Sequence, residues 1–236
     1  MNPRQLSARL ERVAAQVPAG ARLADIGTDH GYLLVALMQR GVISAAVAGE
    51  VALTPLRAVE RSVGENELGE RIAVRLADGL AAIEPGDRIT AISFCSMGGE
   101  TIRDILARDK ARLAGHELLI LQPNGGEQPL RQWLMDNGYR IRHEELLQEN
   151  RFFYEIIVAA PGEPTRYSEP ELYFGPLLLQ ERSPAFLAKW QRLLRLKQQT
   201  LASLARAQHG RTDEKLERQV RWIDEMLAAG GGSAKR

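Results

Sequence analysis

Carboxylates follow apolar runs at three places in the first part of the chain, which is the pattern of a ligand site built at strand ends. Asp25 lies in the run 23–33, Leu-Ala-Asp-Ile-Gly-Thr-Asp-His-Gly-Tyr-Leu, where an apolar segment enters a glycine turn. Glu50 ends the next apolar run, and Asp78 precedes Gly79 after a third. Such turns bring backbone N–H groups and carboxylates to one sheet edge, where a nucleoside ligand can bind.

The residue types at these turns favour a cationic nucleoside cofactor. Gly27 and Gly31 let the backbone approach a ligand, and the Asp25 carboxylate suits an ammonium group. Glu50 suits the two hydroxyls of a ribose, and Asp78 suits the N6 amino group of an adenine. A nicotinamide dinucleotide is disfavoured because the turn lacks the Gly-x-Gly-x-x-Gly spacing. The predicted cofactor is S-adenosyl-L-methionine, bound in part through Gly79 of the third turn.

Each of these positions also has a purely structural explanation. Asp78-Gly79 is a common turn pair, and Gly98-Gly99 either leaves room for a methyl acceptor or caps the following helix. His30 either contacts the ligand or braces the loop. Cys95 at the end of an apolar run is expected to be a small core residue rather than a nucleophile. The four histidines are too scattered to predict a metal site.

Strands and helices alternate along the first 137 residues, which predicts a parallel sheet covered by helices on both faces. Two further strands, 139–142 and 153–158, have no helix between them and should pair antiparallel at the sheet edge. The predicted fold is therefore α/β, with the Rossmann-like sheet of class I methyltransferases. The predicted strands are 22–26, 45–50, 71–76, 89–95 and 117–121, and the predicted helices are 4–17, 31–40, 55–66, 100–108 and 127–137.

The composition changes after residue 160. Prolines and a glycine in 161–170 are typical of a linker, and two apolar stripes follow, separated by the turn 209–212. The stripes predict an antiparallel, coiled-coil-like helical hairpin. The predicted domains are a catalytic domain, 1–160, a helical domain, 161–229, and a disordered tail, 230–236.

Charge is distributed unevenly although the chain carries a net charge of only +1. Residues 182–221 hold 10 basic and 3 acidic side chains, which predicts either a polyanion partner or a solvated helical face. No apolar run is long enough for a membrane span, and no signal peptide is evident. With a single cysteine, these features predict a cytoplasmic protein without membrane association.

Taken together, the motifs resemble the bacterial tRNA methyltransferase family that modifies N1 of adenosine 22. The resemblance covers most of residues 4–160. It lies in the segments 25–33, 49–51, 78–80, 97–99, 121–124, 130–134 and 154–156. It implies a catalytic domain with a helical C-terminal extension, S-adenosylmethionine as cofactor and tRNA as partner. The implied cofactor-binding residues are Asp25, Gly27, His30, Gly31, Glu50, Val51, Asp78, Gly79, Met97 and Gly98.

The resemblance also directs attention to Asp29 as a catalytic residue. Adenine N1 carries its own lone pair and needs no base to attack, but its methylation leaves a cation that a carboxylate can stabilise. Asp29 is predicted to accept a hydrogen bond or a proton from the N6 amino group, with Gln122 and Asn124 orienting the base edge. The alternative is that Asp29 only caps the helix that begins near His30.

A target adenine must leave its stack to reach the cofactor, so phosphate contacts elsewhere must offset the cost of flipping. The predicted RNA contacts lie in the C-terminal helices: Lys189, Arg192, Arg195, Lys197, Arg206 and Arg211. The predicted state is a monomer or a weak homodimer. Two alternatives remain open, namely a class I methyltransferase for another RNA, DNA or small molecule, and a non-catalytic RNA-binding protein.

Overall fold

A seven-stranded sheet forms the centre of the protein. The computed structural model describes residues 5–28, 30–207 and 213–229. The strands are β1 (Ala21–Ile26), β2 (Ile43–Glu50), β3 (Ile72–Leu76), β4 (Ala91–Met97), β5 (Leu118–Pro123), β6 (Tyr139–Glu149) and β7 (Phe152–Pro161). Their order is β3-β2-β1-β4-β5-β7-β6, parallel from β3 to β5, with β7 antiparallel to both neighbours. This confirms the predicted fold class.

Helices cover both faces of the sheet. Those on the sheet are α1 (Ala8–Ala15), α2 (Tyr32–Gln39), α3 (Leu53–Glu65), α4 (Gly99–Arg108) and α5 (Glu127–Asp136). Further along the chain follow α6 (Glu169–Phe174), α7 (Pro176–Glu181), α8 (Pro184–Ala207) and α9 (Glu214–Ala228). Apolar residues of α1, α2 and α3 share one core with the sheet, and those of α4 and α5 share the other. In α2 every residue from Leu33 to Met38 is buried, so this helix is wedged into the core and holds the turn before it in place.

The last two strands are longer than predicted. The sequence predicts strands only at 139–142 and 153–158, but the ladder continues to the pair Glu149–Phe152. The added stretch of β6 contains acidic residues that do not suit an apolar strand pattern. One of them, Glu144, is buried because Arg131 of α5 donates to its carboxylate over 2.7 Å. A distant arginine thus stabilises a strand that local sequence does not predict.

The chain divides into two compact units, with the boundary between Leu177 and Leu178 rather than after residue 160. The first unit extends further because α6 and the start of α7 attach to the sheet. The Leu172 carbonyl accepts from Arg131, and the Leu177 N–H donates to Glu144 over 2.8 Å. The predicted linker composition therefore marks the end of β7 and not the end of the unit.

The second unit contains an antiparallel helical hairpin, as predicted. Lys197 of α8 donates to Gln219 of α9 over 2.7 Å, and Arg182 donates to the Met226 carbonyl. From Arg182, just before α8, to Lys197 within it, the partner moves backward along α9 from Met226 to Gln219, so the two helices run in opposite directions. The predicted turn 209–212 and tail 230–236 lie outside the described residues. None of the described helices is long and apolar enough to cross a membrane.

Candidate functional site

The strand order places a crevice between β1 and β4. From β1 the chain proceeds through β2 to β3 on one side, and β4 and β5 then occupy the other side. In open α/β sheets, ligands bind beyond the carboxyl ends of the strands at such a reversal. The ends of β3, β2, β1, β4 and β5 carry Asp78, Glu50, Asp25, Gly98 and Asn124 in turn. The structure thus brings the predicted site residues of five separate loops to one edge.

Asp25 is held inside the sheet at this edge. Its side chain is buried, and the Ser93 hydroxyl of β4 donates to its Oδ1 over 2.6 Å. A buried carboxylate needs such donors because its desolvation is costly. Ser93 was not among the predicted site residues, since a serine within an apolar strand carries no signal until strand pairing places it opposite Asp25.

The turn after β1 is shaped by two glycines in the left-handed region, where other residues are strained. Gly27 has a φ of 70°, and an added Cβ would lie 2.5 Å from the Met97 Cε. Gly31, with a φ of 69°, is the N-cap residue of α2. The hydroxyl of Thr28 is buried and has no hydrogen-bond partner among the described residues. Asp29 lies outside the described residues, so its predicted catalytic role stays a prediction.

Thr28 is a further candidate for the site, which the sequence analysis did not single out. A buried hydroxyl without a partner is costly in a folded protein, so it suits a position that a ligand completes. His30, predicted to contact the cofactor or brace the loop, is exposed with a φ of 57°. Its ring stacks on Tyr32, with centroids 5.4 Å apart. That stacking braces the start of α2.

Glu50 and Val51 form the second wall of the edge. Glu50 is buried at the end of β2, and Val51 beside it is 70% exposed. The preceding Gly49 leaves no room for a side chain, since an added Cβ would lie 2.7 Å from that of Ala82. The pair therefore combines a fixed carboxylate with an open apolar surface, which suits the ribose and the base of a nucleoside respectively.

Asp78 is exposed and paired. Arg108 of α4 donates to its Oδ2 over 2.8 Å, which the sequence reasoning missed because the two residues are 30 positions apart. The adjacent Gly79 has a φ of 58°, and an added Cβ would lie 2.5 Å from the Arg108 Nη2. Glycine is thus favoured here by the left-handed backbone and by side chains at the end of α4. Its predicted contact with the cofactor stays a prediction.

The loops after β4 and β5 interlock through glycine. The Gly99 N–H donates to the Gly125 carbonyl over 2.7 Å, and an added Cβ at Gly99 would lie 2.3 Å from the Gly126 oxygen. The space beside Gly99 is therefore filled by backbone, so the prediction that Gly99 makes room for the methyl acceptor is wrong. Gly98 is the N-cap residue of α4, and an added Cβ there would meet only Thr101 at 3.7 Å.

Gln122 lies beneath the loop rather than on its surface. Its side chain is fully buried; its amide oxygen accepts from Arg9 of α1, and its amide nitrogen donates to Asn124 Oδ1 over 3.2 Å and to the Pro123 carbonyl over 3.0 Å. Gln122 was predicted to orient a substrate base through its own amide. Its burial conflicts with that prediction. Gln122 instead positions Asn124, which is exposed at the edge.

Cys95 is buried at the end of β4, in keeping with the expected core role. Burial, together with the negative charge of nearby Asp25, raises the pKa of its thiol, which opposes formation of a nucleophilic thiolate. Among the described residues, no three His, Cys, Asp or Glu side chains are grouped so as to hold a metal ion.

The basic residues proposed for RNA lie on α8, except for Arg211, which is outside the described residues. Arg192, Arg195 and Arg206 are exposed and share one face of the helix. Lys197 differs from them. It is half-buried, it donates to Gln219, and burial together with nearby Lys215 lowers the pKa of its ammonium. Lys189 lies beside the ring of Trp190, at 5.2 Å.

One known protein family matches most of this chain. Residues 23–225 match the family described as tRNA (adenine(22)-N(1))-methyltransferase. The chain belongs to this family. The enzyme of that name from Bacillus subtilis strain 168 is 37% identical over 212 residues, which cover 88% of this chain and 89% of the relative. The family predicted from the motifs is thereby confirmed.

Solved structures of family members share the fold. A Streptococcus pneumoniae protein in complex with S-adenosyl-L-methionine superimposes with a TM-score of 0.87 at 40% identity, covering 94% of this chain and 100% of that one. The Bacillus subtilis m1A22 tRNA methyltransferase gives a TM-score of 0.83 at 33% identity, covering 95% and 96%. These similarities include the C-terminal helices as well as the sheet.

Proposed function

We propose that this protein transfers the methyl group of S-adenosyl-L-methionine to N1 of an adenosine in tRNA, with adenosine 22 as the expected position. The observation that carries the proposal is the family match across residues 23–225. The relatives that support it are a tRNA methyltransferase and a protein bound to S-adenosyl-L-methionine. The location in the cytoplasm and the monomeric or weakly dimeric state stay predictions.

The residues at the carboxyl edge fit this cofactor. The buried Asp25 carboxylate suits its ammonium group, and Glu50 suits its ribose hydroxyls. The α2 N-terminus, opened by the left-handed turn at Gly31, directs N–H groups that suit its carboxylate. The Thr28 hydroxyl, which lacks a partner among the described residues, supplies a further donor. Val51 offers an apolar surface for the adenine, and Asp78 a carboxylate for its N6 amino group.

Alignment is the main task of the protein. When bound, the cofactor supplies an electrophilic methyl group on a sulfonium, and in-line attack by adenine N1 requires no base. Asn124, held by the buried Gln122, lies on the exposed loop after β5 and can orient the base through its amide. Asp29 is proposed to stabilise the cation that forms on the adenine. Phosphate contacts by the exposed arginines of α8 would offset the cost of flipping the nucleotide.

The decisive experiment incubates the protein with labelled S-adenosylmethionine and bulk bacterial tRNA and maps the modified nucleoside. We expect label in 1-methyladenosine at a single tRNA position. In parallel incubations with DNA and with bacterial small molecules, label in either of these with none in tRNA would contradict the proposal. Cofactor binding without transfer to any substrate would favour a non-catalytic RNA-binding protein instead.

Asp29 is tested within the same assay. Asp29→Ala should reduce turnover by about 10²-fold or more while the affinity for the cofactor stays nearly unchanged. A lower melting temperature with normal turnover would mean that Asp29 serves only as a helix cap.

The α8 arginines are tested by salt dependence. Replacing Arg192, Arg195 and Arg206 by glutamine should weaken tRNA binding and reduce the slope of log affinity against log salt by about 0.7–0.9 per lost phosphate contact. Arg61→Gln, an exposed arginine of α3, is the matched control. An unaltered slope in the triple variant would remove α8 from the RNA interface.

A further inference from the structure

The tip of the β6–β7 hairpin exposes a large aromatic side chain. Glu149 and Phe152 form the last pair of the ladder, and the two-residue turn between them carries Asn150 at a φ of 56°. Phe152 is 51% exposed although it belongs to a strand. Phenylalanine is normally among the buried residue types, so a half-exposed ring at the tip of a hairpin calls for an explanation.

Two aromatic rings lie side by side in this part of the molecule, with a guanidinium at each end. The Arg151 guanidinium lies over the Phe152 ring, 5.1 Å from its centroid, and the Phe152 and Tyr154 centroids are 6.3 Å apart. Beyond them, the Arg9 guanidinium lies over the Tyr154 ring at 5.5 Å. We call these four residues, Arg151, Phe152, Tyr154 and Arg9, the aromatic row.

The aromatic row runs into the candidate site. β7 is antiparallel to β5, with Leu121 opposite Ile157, so the residues of β7 before Ile157 extend past the carboxyl end of β5. At its inner end, Arg9 donates to Gln122, and the Gln122 amide holds Asn124. Direct contacts therefore connect the exposed Phe152 ring to the loop that faces the proposed target base.

We propose that the aromatic row binds unpaired nucleotides of the RNA next to the target adenosine, with a base stacked on Phe152 and a phosphate beside Arg151. The inference rests on the proposed function, because it identifies a second RNA contact of the same site. Bases splayed out of a helix are recognised by stacking on aromatic and guanidinium planes. A flipped adenosine leaves its neighbours partly unstacked, and an aromatic ring beside the site can replace that lost stacking.

The spacing of charge along the row favours RNA over a protein partner. Each ring has a guanidinium next to it, so the row combines flat stacking surfaces for bases with cations that suit the phosphates of a single strand. A protein-binding patch would require a larger continuous apolar surface, of at least a few hundred Å². Within the described residues of β6 and β7, Phe152 alone is a strongly exposed large apolar side chain.

The test compares three variants of the full chain at position 152 by tRNA affinity. Phe152→Ala should weaken binding by about 5- to 150-fold, the range found for loss of one stacked base. Phe152→Leu, the matched control, keeps apolar volume without an aromatic face and should stay weak, whereas Phe152→Tyr should restore affinity. Cofactor affinity should be unchanged in all three. The salt slope should stay constant for Phe152→Ala and fall by about 0.7–0.9 for Arg151→Gln.

The outcomes separate this inference from the proposed function. If the wild-type protein methylates tRNA and Phe152→Ala binds tRNA normally, the aromatic row is not an RNA contact although the proposed function stands. Wild-type affinity in Phe152→Leu would exclude stacking. A change in sedimentation of Phe152→Ala with unchanged tRNA affinity would identify the row as a contact between copies of this chain. If the wild-type protein transfers no methyl group to tRNA, both proposals fail.

Discussion

Arg75 near one edge of the sheet and Arg131 near the other are each placed between two carboxylates, yet the two clusters lie in different surroundings. On the β3 side, Arg75 pairs with Asp87 at 2.5 Å and Glu84 at 3.3 Å, and the Glu84 side chain is 66% exposed. On the β7 side, Arg131 pairs with Glu144 at 2.7 Å and also with Glu155, and all three are buried. The same set of charges is thus a surface cluster in one half and a core element in the other.

Burial changes what the charges do. Desolvation opposes the Arg131 charge, but Glu155 and Glu144 outweigh it and raise the pKa of the guanidinium. A buried ion cluster adds little net stability compared with apolar packing, but it tolerates no loss of a partner. The Arg131 cluster also binds α6 and α7 to the sheet through Leu172 and Leu177. It therefore attaches the last segment of the first unit to the sheet, whereas the Arg75 cluster only attaches a short loop.

The largest expected effect comes from removing the two arginines in turn. Arg131→Met removes the cation from two buried carboxylates and should lower the free energy of unfolding by about 3–5 kcal/mol. Arg75→Met, the matched change at the partly exposed cluster, should cost about 1 kcal/mol or less because solvent screens the remaining charges. Urea unfolding monitored by circular dichroism measures both. Equal losses in the two variants would abolish the distinction between the clusters.

The second-largest effect is expected on cofactor affinity, when the Glu50 carboxylate is removed. Glu50→Ala should weaken cofactor binding by about 10- to 150-fold, since a hydrogen bond to a charged group contributes about 1.5–3 kcal/mol. Isothermal calorimetry with S-adenosylmethionine provides the measurement. Glu60→Ala, an exposed acid on α3, is the control. Unchanged affinity in Glu50→Ala would refute the ribose assignment.

A smaller effect on the free energy of unfolding is expected at the end of β4, in the middle of the sheet. The β4–β5 register shifts between Cys95 and Met97, and Ser96 between them has a φ of 70°. This conformation costs a residue with a side chain about 1–2 kcal/mol, partly offset in glycine by the greater freedom of the unfolded chain. Ser96→Gly should therefore raise the free energy of unfolding by about 1 kcal/mol, measured as a higher melting temperature. A lower melting temperature would show that the serine side chain stabilises the bulge.

The smallest effect is a pH dependence at the Arg75 cluster. A hydrogen bond from Arg75 lowers the pKa of Asp87 in the folded state. Its contribution is therefore complete above the unfolded pKa of about 4 and is lost as the pH falls through the lower folded value. Partial exposure limits the contribution to about 1 kcal/mol or less. The stability difference between wild type and Asp87→Asn should shrink from pH 7 to pH 3, and a constant difference would contradict this assignment.

Local patterns predicted the fold and cofactor class well. Apolar runs ending in Asp25 and Glu50 marked the strand ends, and the glycine turn marked the crevice, because each feature lies within a few neighbouring residues. The confirmed class I sheet and the family followed from these local patterns and from the motifs that resemble it.

The features that escaped prediction depend on residues far apart in sequence. Arg9 meets Gln122 across 113 positions, and Arg108 meets Asp78 across 30. The hydrogen bond that Arg9 of α1 donates to the buried Gln122 cannot be inferred from the motif around Gln122. The same holds for the hydroxyl of Ser93, whose partner becomes visible only once β1 and β4 are paired.

The close approach of Gly99 to Gly126 also constrains how this protein can evolve. A side chain at Gly99 would collide with the Gly126 carbonyl oxygen, an atom that every amino acid possesses. No replacement at position 126 can therefore compensate for a change at position 99. A suppressor would have to move the backbone of a whole loop, so substitutions at Gly99 should be the hardest in this edge to rescue by a second mutation.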